Sequence, residues 1–181
     1  MKIAIITDMH LGVRGDSKVF LDHQEKFFPY IDANDIKIVL DLGDTFDRRK
    51  YINYVTLNRA KKFFFNQLQE RNIEYHAITG NHSVYYSNTN EINSMDLLLQ
   101  EYENFHIYES APVDLTFGST NVVMVPWLTK DNIQNSLDVL KTSKAHICMG
   151  HFDIVGFEML KGTLCSHGLN KEVFTHFESV Y

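Results

Sequence analysis

Apolar residues fall into short continuous runs that end at polar residues, and these runs alternate with segments where apolar positions recur every three or four residues. Lys2 to Thr7 is β-branched and almost wholly apolar, the pattern of a strand buried on both faces in a parallel sheet with helices either side. Asp16-Ser17 offers an N-cap, and Phe20, Phe27 and Ile31 keep helical spacing as far as Asn34. Ile36 to Leu42 predicts a second strand. Leu57, Ala60, Phe64 and Leu68 mark a second helix ending near Arg71-Asn72, and Glu74 to Ile78 a third strand. The chain turns polar from Ser83 to Asn90 around two tyrosines, which predicts a loop, and Ile92, Met95, Leu99 and Tyr102 then resume helical spacing.

After that helix the period changes. Phe105 to Tyr108, Val113 to Phe117 and Asn121 to Val125 are short extended runs, with Gly118-Ser119 as a turn between the last two, and together they predict an antiparallel section. Pro126-Trp127-Leu128 closes it. Ile133, Leu137 and Leu140 predict another helix, and Ala145 to Met149 a buried strand. Past Gly156, a loop is predicted over Gly162 to Gly168, a short helix over Lys171 to Phe174 and the start of a strand over Phe177 to Tyr181. With no repeat, linker or low-complexity tract, strands alternating with helices predict a single α/β domain over 1–181.

A chain of 181 residues with 44% apolar content has enough material for one sizeable core, which excludes a disordered protein. The balance of 17 basic against 23 acidic residues gives a net charge of -6. The molecule as a whole therefore offers no positive field to a polyanion, and any such binding must rest on a local patch or on metal ions. Two cysteines are too few for a disulfide scaffold and suit a reducing compartment; Cys148 lies in an apolar run and reads as core, Cys165 lies in a polar one and reads as an incidental thiol. Only four consecutive apolar residues precede Thr7-Asp8, far short of a signal-peptide core. No run approaches the roughly 20 apolar residues that span a bilayer. These features predict a cytoplasmic protein.

The chemistry gathers where four of the strands end. Ile3 to Ile6 leads into Asp8 and His10, Ile36 to Leu42 into Gly43-Asp44, Tyr75 to Ile78 into Gly80-Asn81-His82-Ser83, and Ala145 to Met149 into Gly150-His151. Ligands of α/β sheets sit outside the carboxyl ends of the strands, which is the rim where Asp8, His10, Asp44, Asn81, His82 and His151 fall. Carboxylate, imidazole and amide together suit a divalent ion such as manganese, and the lack of cysteine argues against a structural zinc. Asp44 could bridge two ions, and a pair roughly 3.5–4 Å apart can clamp a phosphate and activate water.

In these blocks, Asp8-Met9-His10, Gly43-Asp44-Thr45-Phe46-Asp47, Gly80-Asn81-His82 and Gly150-His151, the sequence resembles the calcineurin-like metallophosphoesterases. Within that superfamily it is similar to DNA-repair exonuclease subunits of the SbcD type and to the recombination endonuclease subunits of tailed phages; His10-Leu11-Gly12 and Pro126-Trp127-Leu128 are part of that likeness. The resemblance implies an α/β sandwich of sheets flanked by helices. It places Asp8 and His10 on one metal, Asp44 between two, and Asn81 and His151 on the second, with His82 off the metals, either as the acid that protonates the leaving oxygen or as a group that steadies the scissile phosphate. It further implies manganese-dependent cleavage of DNA phosphodiesters, magnesium being an alternative ion, together with a homodimer and a coiled-coil ABC-type ATPase partner (SbcC-like). No Walker-type glycine loop is present, so an ATP-driven step belongs to that partner. The family pattern closes with a G-H-x-H block that Phe177 to Tyr181 does not reach, so the resemblance reads the chain as an amino-terminal fragment, its site short of two ligands, that is either weakly active or only a binding or folding unit. Relatives that hydrolyse phosphomonoesters usually carry glycine and glutamate where Arg49 and Ser83 stand, which tilts the expected substrate toward DNA.

Arg14, Lys18 and the run Arg48-Arg49-Lys50 lie close in sequence to these blocks. They form either a solvated face or contacts to a phosphate backbone. Tyr85 and Tyr86 could stack on a base or simply pack. His23, His76, His106, His146, His167 and His176 read as structural or solvated, and Phe27-Phe28 and Phe63-Phe64-Phe65 as core with a possible partner surface.

Overall fold

The computed structural model describes residues 1–15 and 18–181, and of these it leaves the side chains of 15, 18–25 and 160 undescribed. The expected Asp16-Ser17 cap and the side chains of Lys18, Phe20 and His23 therefore lie outside the described residues. Two four-stranded sheets organise the rest. The first holds β1 (Ala4–Ile6), β2 (Ile38–Asp41), β3 (Glu74–Ile78) and β4 (Phe105–Tyr108), in that order and all parallel. The second runs β10-β7-β6-β5, with β5 (Val113–Phe117) antiparallel to β6 (Thr120–Val125), and with β7 (Ile147–Gly150) and β10 (Ser179–Val180) parallel to it.

The strand period of two sorts side chains between layers. In β2, Val39 joins a cluster with Phe28, Phe46, Phe64, Phe65, Leu68 and Met95 on the helical side, while Leu40 faces the other way. In β6, Val122 and Met124 meet Leu40, Leu42, Ile78 and Met149 between the sheets, and Val123 and Val125 pack outward with Leu140, Cys148 and Phe174. The result is helices, sheet, sheet and helices in four layers around three apolar interfaces. The helical cover of the first sheet is α1 (Lys18–Ala33), α2 (Tyr54–Ala60), α3 (Asn66–Glu70) and α4 (Ser94–Leu99); α5 (Ile133–Thr142) and a 3-10 turn at Lys171–Phe174 cover the second. Asn53 and Asn93 cap α2 and α4, accepting from the N–H groups of Val55 (2.8 Å) and Asp96 (2.9 Å).

Several expectations need correction. The helix predicted over Leu57 to Leu68 is continuous but passes through one π segment, Lys61–Phe65, between α2 and α3; the wider turn seats Phe64 and Phe65 in the core and leaves Phe63 half exposed. Phe105 to Tyr108 does not belong to the antiparallel section: it pairs parallel with β3, because helix α4 returns the chain to the same end of the sheet. β1 is an edge strand rather than one buried on both faces, with Ile5 42% exposed. The loop predicted over Gly162 to Gly168 begins with β9 (Thr163–Leu164), paired antiparallel with β8 (Glu158–Leu160). Among the described residues no helix is long and apolar enough to cross a membrane.

Candidate metal centre

The carboxyl ends of β1, β2, β3 and β7 meet at one rim, and backbone bonds lock their loops together before any side chain is considered. Asp8 N–H donates to the Gly43 carbonyl (3.0 Å), His10 N–H to Asp44 (2.9 Å) and Leu11 N–H to Thr45 (2.8 Å). Asp8, His10 and Asp44 all take positive φ, at 52°, 43° and 55°, a conformation that costs about 1 kcal/mol or more for each non-glycine residue. Three such residues side by side mark a rim shaped for presentation of side chains. Gly43 and Gly80 let the loops touch: a Cβ on Gly43 would stand 2.8 Å from the Gly80 nitrogen, and one on Gly80 would stand 2.2 Å from Asp44 Oδ1.

Asp44, 3% exposed, is at the middle. Its Oδ1 accepts from the His82 N–H at 2.7 Å, and its Oδ2 faces His10 Nε2 at 3.7 Å and His151 Nε2 at 3.6 Å. His10 Nε2 also lies 3.7 Å from Asp8 Oδ1, and Asn81 Oδ1 lies 3.0 Å from His151 Nε2. All five expected metal residues, Asp8, His10, Asp44, Asn81 and His151, thus come together around one carboxylate. His151 Nδ1–H donates to the Leu42 carbonyl at 2.9 Å, which in the neutral ring leaves the lone pair on Nε2, aimed at two oxygen acceptors. Lone pair facing lone pair is repulsive unless a cation lies between them. His10 Nδ1 is buried, 3.4 Å from Asp47 Oδ1, and makes no hydrogen bond. Ligand atoms bound to one ion at about 2.0–2.2 Å stand about 3–3.6 Å apart, so spacings of 3.0–3.7 Å fit a divalent ion on either side of Asp44.

His82 points into the same rim. Its Nδ1–H donates to the Asp47 carbonyl at 2.6 Å, and its ring meets that of His10 edge-on at 4.8 Å between centroids. Asp47, outside the expected site residues, touches both imidazoles, and its place in the Gly43 to Asp47 block is the sequence signal for it.

Asp41 is the other residue that sequence reasoning missed. It is fully buried beneath the Gly43-Asp44 turn, where Gly43 N–H donates to Oδ1 (2.9 Å) and the Thr45 and Tyr75 hydroxyls donate to Oδ2 (2.8 and 2.5 Å). Burial pushes its carboxyl up to about 6, against the pull of those hydrogen bonds and of nearby His151. The same burial, with the Asp41 charge, holds the Tyr75 phenol well above its ordinary range. Asp41 works as the clamp of the turn that presents Asp44.

The expected DNA contacts divide. Arg48 lies over the Tyr51 ring (5.3 Å) and donates to its hydroxyl (2.6 Å), and its Nε is 3.9 Å from Asp47, so it reaches the rim. Lys50 lies over Tyr85 at 5.4 Å, and Arg48, Arg49, Lys50 and Tyr85 line one cleft of about 150 Å³. Arg14 is exposed on a 3-10 turn, Val13–Gly15, beyond His10.

The family model for calcineurin-like phosphoesterase matches residues 1–178. The chain belongs to the calcineurin-like phosphoesterase family. The chain is 32% identical over 185 residues to a protein of Enterobacteria phage T4 named "Exonuclease subunit 1", a match covering 100% of the chain and 54% of that relative. It therefore spans about half the length of the curated relative. Similar solved structures include an archaeal phosphodiesterase (15% identity, 94% of this chain and 82% of that one, TM-score 0.47) and the nuclease MPE of Pseudomonas putida (14% identity, 90% and 66%, TM-score 0.49). Members of this family use divalent metals, and this chain has groups of residues that could hold one, Asp8, Asp44 and His151 among them.

Proposed function

We propose that residues 1–181 supply Asp8, His10, Asp44, Asn81, His82 and His151 to the nuclease site of a DNA-processing complex, which hydrolyses DNA phosphodiester bonds with two divalent ions, manganese by preference. The observation that carries this reading is the gathering of two imidazoles (His10, His151), one carboxylate (Asp8) and an amide (Asn81) around the Asp44 carboxylate, with His82 turned to the same opening. Asp8 and His10 would hold one ion and Asn81 and His151 the other, with Asp44 shared. Such a pair supplies positive charge to the phosphate and lowers the pKa of an attacking water.

The chain's own residues then have separable tasks. Asp44, held by the His82 N–H and by the turn clamped on Asp41, fixes the spacing of the two halves. His82 spends its Nδ1–H on the Asp47 carbonyl, so a second proton, on Nε2, is the one it can give to the leaving oxygen. Arg48, which reaches the rim, and Lys50, in the adjoining cleft, each lie over a tyrosine ring and suit contacts to a phosphate backbone; such contacts position without reading sequence. The name of the phage T4 relative marks it as one subunit of an exonuclease. That name supports assigning this chain a partner, which we take to be an SbcC-like coiled-coil ATPase, with homodimerisation of the nuclease subunit and work in the cytoplasm.

Manganese-dependent turnover of linear DNA by the full-length protein, compared with that of a phosphopeptide, tests the proposal. We expect DNA cleavage that needs the metal and is lost in Asp44→Asn. Preference for the phosphopeptide would overturn the nuclease assignment.

A further inference from the structure

A second set of ligand-type side chains lies away from the Asp44 rim. Cys165, Asp153 and His167 each bring one potential donor atom within 4.8 Å of the other two. Cys165 is 3% exposed and its Sγ–H donates to the His167 carbonyl at 2.9 Å. Its polar neighbourhood in the sequence gives no sign of this burial. His167 Nε2 stands 3.4 Å from Asp153 Oδ2, and the imidazole is 69% exposed, so an ion could arrive from solvent.

The backbone under these three residues is already stapled. Leu169 N–H donates to the Asp153 carbonyl (2.8 Å), Val155 N–H to Leu169 (2.9 Å), Gly156 N–H to Cys165 (2.9 Å) and Cys165 N–H to Phe157 (2.7 Å). Gly168 has φ +102°, and a Cβ there would fall 2.2 Å from the Asp153 carbonyl oxygen, so the close approach of the two segments needs a glycine. Preorganisation of this sort is what a metal site needs and what an isolated surface ion pair does not.

We propose that Asp153, Cys165 and His167 form a second, sulfur-containing metal site of the kind that takes zinc. The donor set separates it from the Asp44 rim: one thiolate, one imidazole and one carboxylate are softer than the all nitrogen and oxygen set there, and thiolate selects zinc over manganese or magnesium. Three protein ligands leave one tetrahedral position for water. On binding, the Cys165 thiol gives its proton to solvent and gives up its bond to the His167 carbonyl, and the S–H bond is replaced by a sulfur to zinc bond with no change of oxidation state. Asp153 is two residues past His151, so an ion here would brace the segment that delivers His151 to the other site. The proposal stands whether or not the nuclease assignment does.

Cobalt(II) is the probe, because a thiolate on cobalt gives a near-ultraviolet charge-transfer band that a nitrogen and oxygen site cannot give. The 181-residue chain, freed of metal, is titrated with cobalt. We expect the sulfur band to saturate at one equivalent, to be erased by added zinc and to be absent from Cys165→Ser. In His167→Gln, whose exposed side chain the fold does not need, affinity should fall by about tenfold or more, the scale seen even for outer partners of metal ligands. No sulfur band, a band that survives Cys165→Ser, or one indifferent to His167→Gln would overturn the proposal, leaving an ordinary ion pair beside a buried thiol.

Discussion

Replacing Gly80 by alanine puts a methyl group into the tightest contact of the site. The new Cβ would stand 2.2 Å from Asp44 Oδ1, 2.4 Å from the Asp44 nitrogen and 2.9 Å from its Cγ. Ordinary van der Waals contact begins near 3.4 Å, so either Asp44 or the Gly80 loop must retreat by about 1 Å. Gly80 does not have positive φ, so the cost is steric and falls on Asp44 rather than on backbone strain. Overpacking of this size costs about 1–3 kcal/mol of stability. Displacement of Asp44 also strains the 2.7 Å bond from His82 N–H, a charge-assisted bond of about 1.5–3 kcal/mol. Misplacement by about 1 Å costs about 100-fold in rate. The assay is manganese binding by calorimetry beside urea denaturation, with Gly118→Ala as the control. Gly118 has open space around it but φ +64°, so its alanine variant should lose a comparable 1–2 kcal/mol or so through backbone strain while binding metal normally. If Gly80→Ala binds manganese as tightly as the parent protein, Asp44 is not the shared ligand and the account of the site fails.

Two further outcomes follow from the same geometry. Because the folded-state carboxyl of Asp41 is raised to about 6 from an ordinary 3.8, the native state holds its proton over a range where the unfolded chain has lost it. Stability should therefore decline as pH rises from about 4 to about 6, by up to about 3 kcal/mol for this group, and Asp41→Asn should remove that decline when urea midpoints are compared at pH 4 and 7. His82→Ala should lower turnover by roughly 100- to 10,000-fold, the range for a general acid, while calorimetry shows both ions still bound; a loss of metal instead would make His82 a ligand.

The residues of the site were legible because each follows an apolar run. A strand that ends in Gly-Asp or Gly-Asn-His announces which end of the sheet carries chemistry, and the structure brings Asp8, His10, Asp44, Asn81, His82 and His151 together as that reasoning requires. Asp41 was not legible, since a carboxylate inside the run Ile36 to Leu42 reads as one strand position among others. Its meaning lies in Tyr75, 34 residues away, whose hydroxyl bonds it. Direction and order of strands were hidden for a related reason: the period that identifies Phe105 to Tyr108 as extended says nothing about whether its partner is β3 or β5, and the period of β1 does not reveal that one of its sides is open. Burial of Cys165 was hidden too, since its neighbours in sequence are polar and the backbone bonds that hold it run to Gly156 and Phe157, eight or nine residues earlier.

The central claim is that two divalent ions sit on either side of Asp44. Crystals of the chain soaked in manganese chloride, with diffraction recorded at the manganese absorption edge, test it most directly. The account predicts two anomalous peaks, one between Asp8, His10 and Asp44 and one between Asp44, Asn81 and His151, both absent from Asp44→Asn crystals. A map with no peak at this rim, or with peaks that persist in Asp44→Asn, would contradict it.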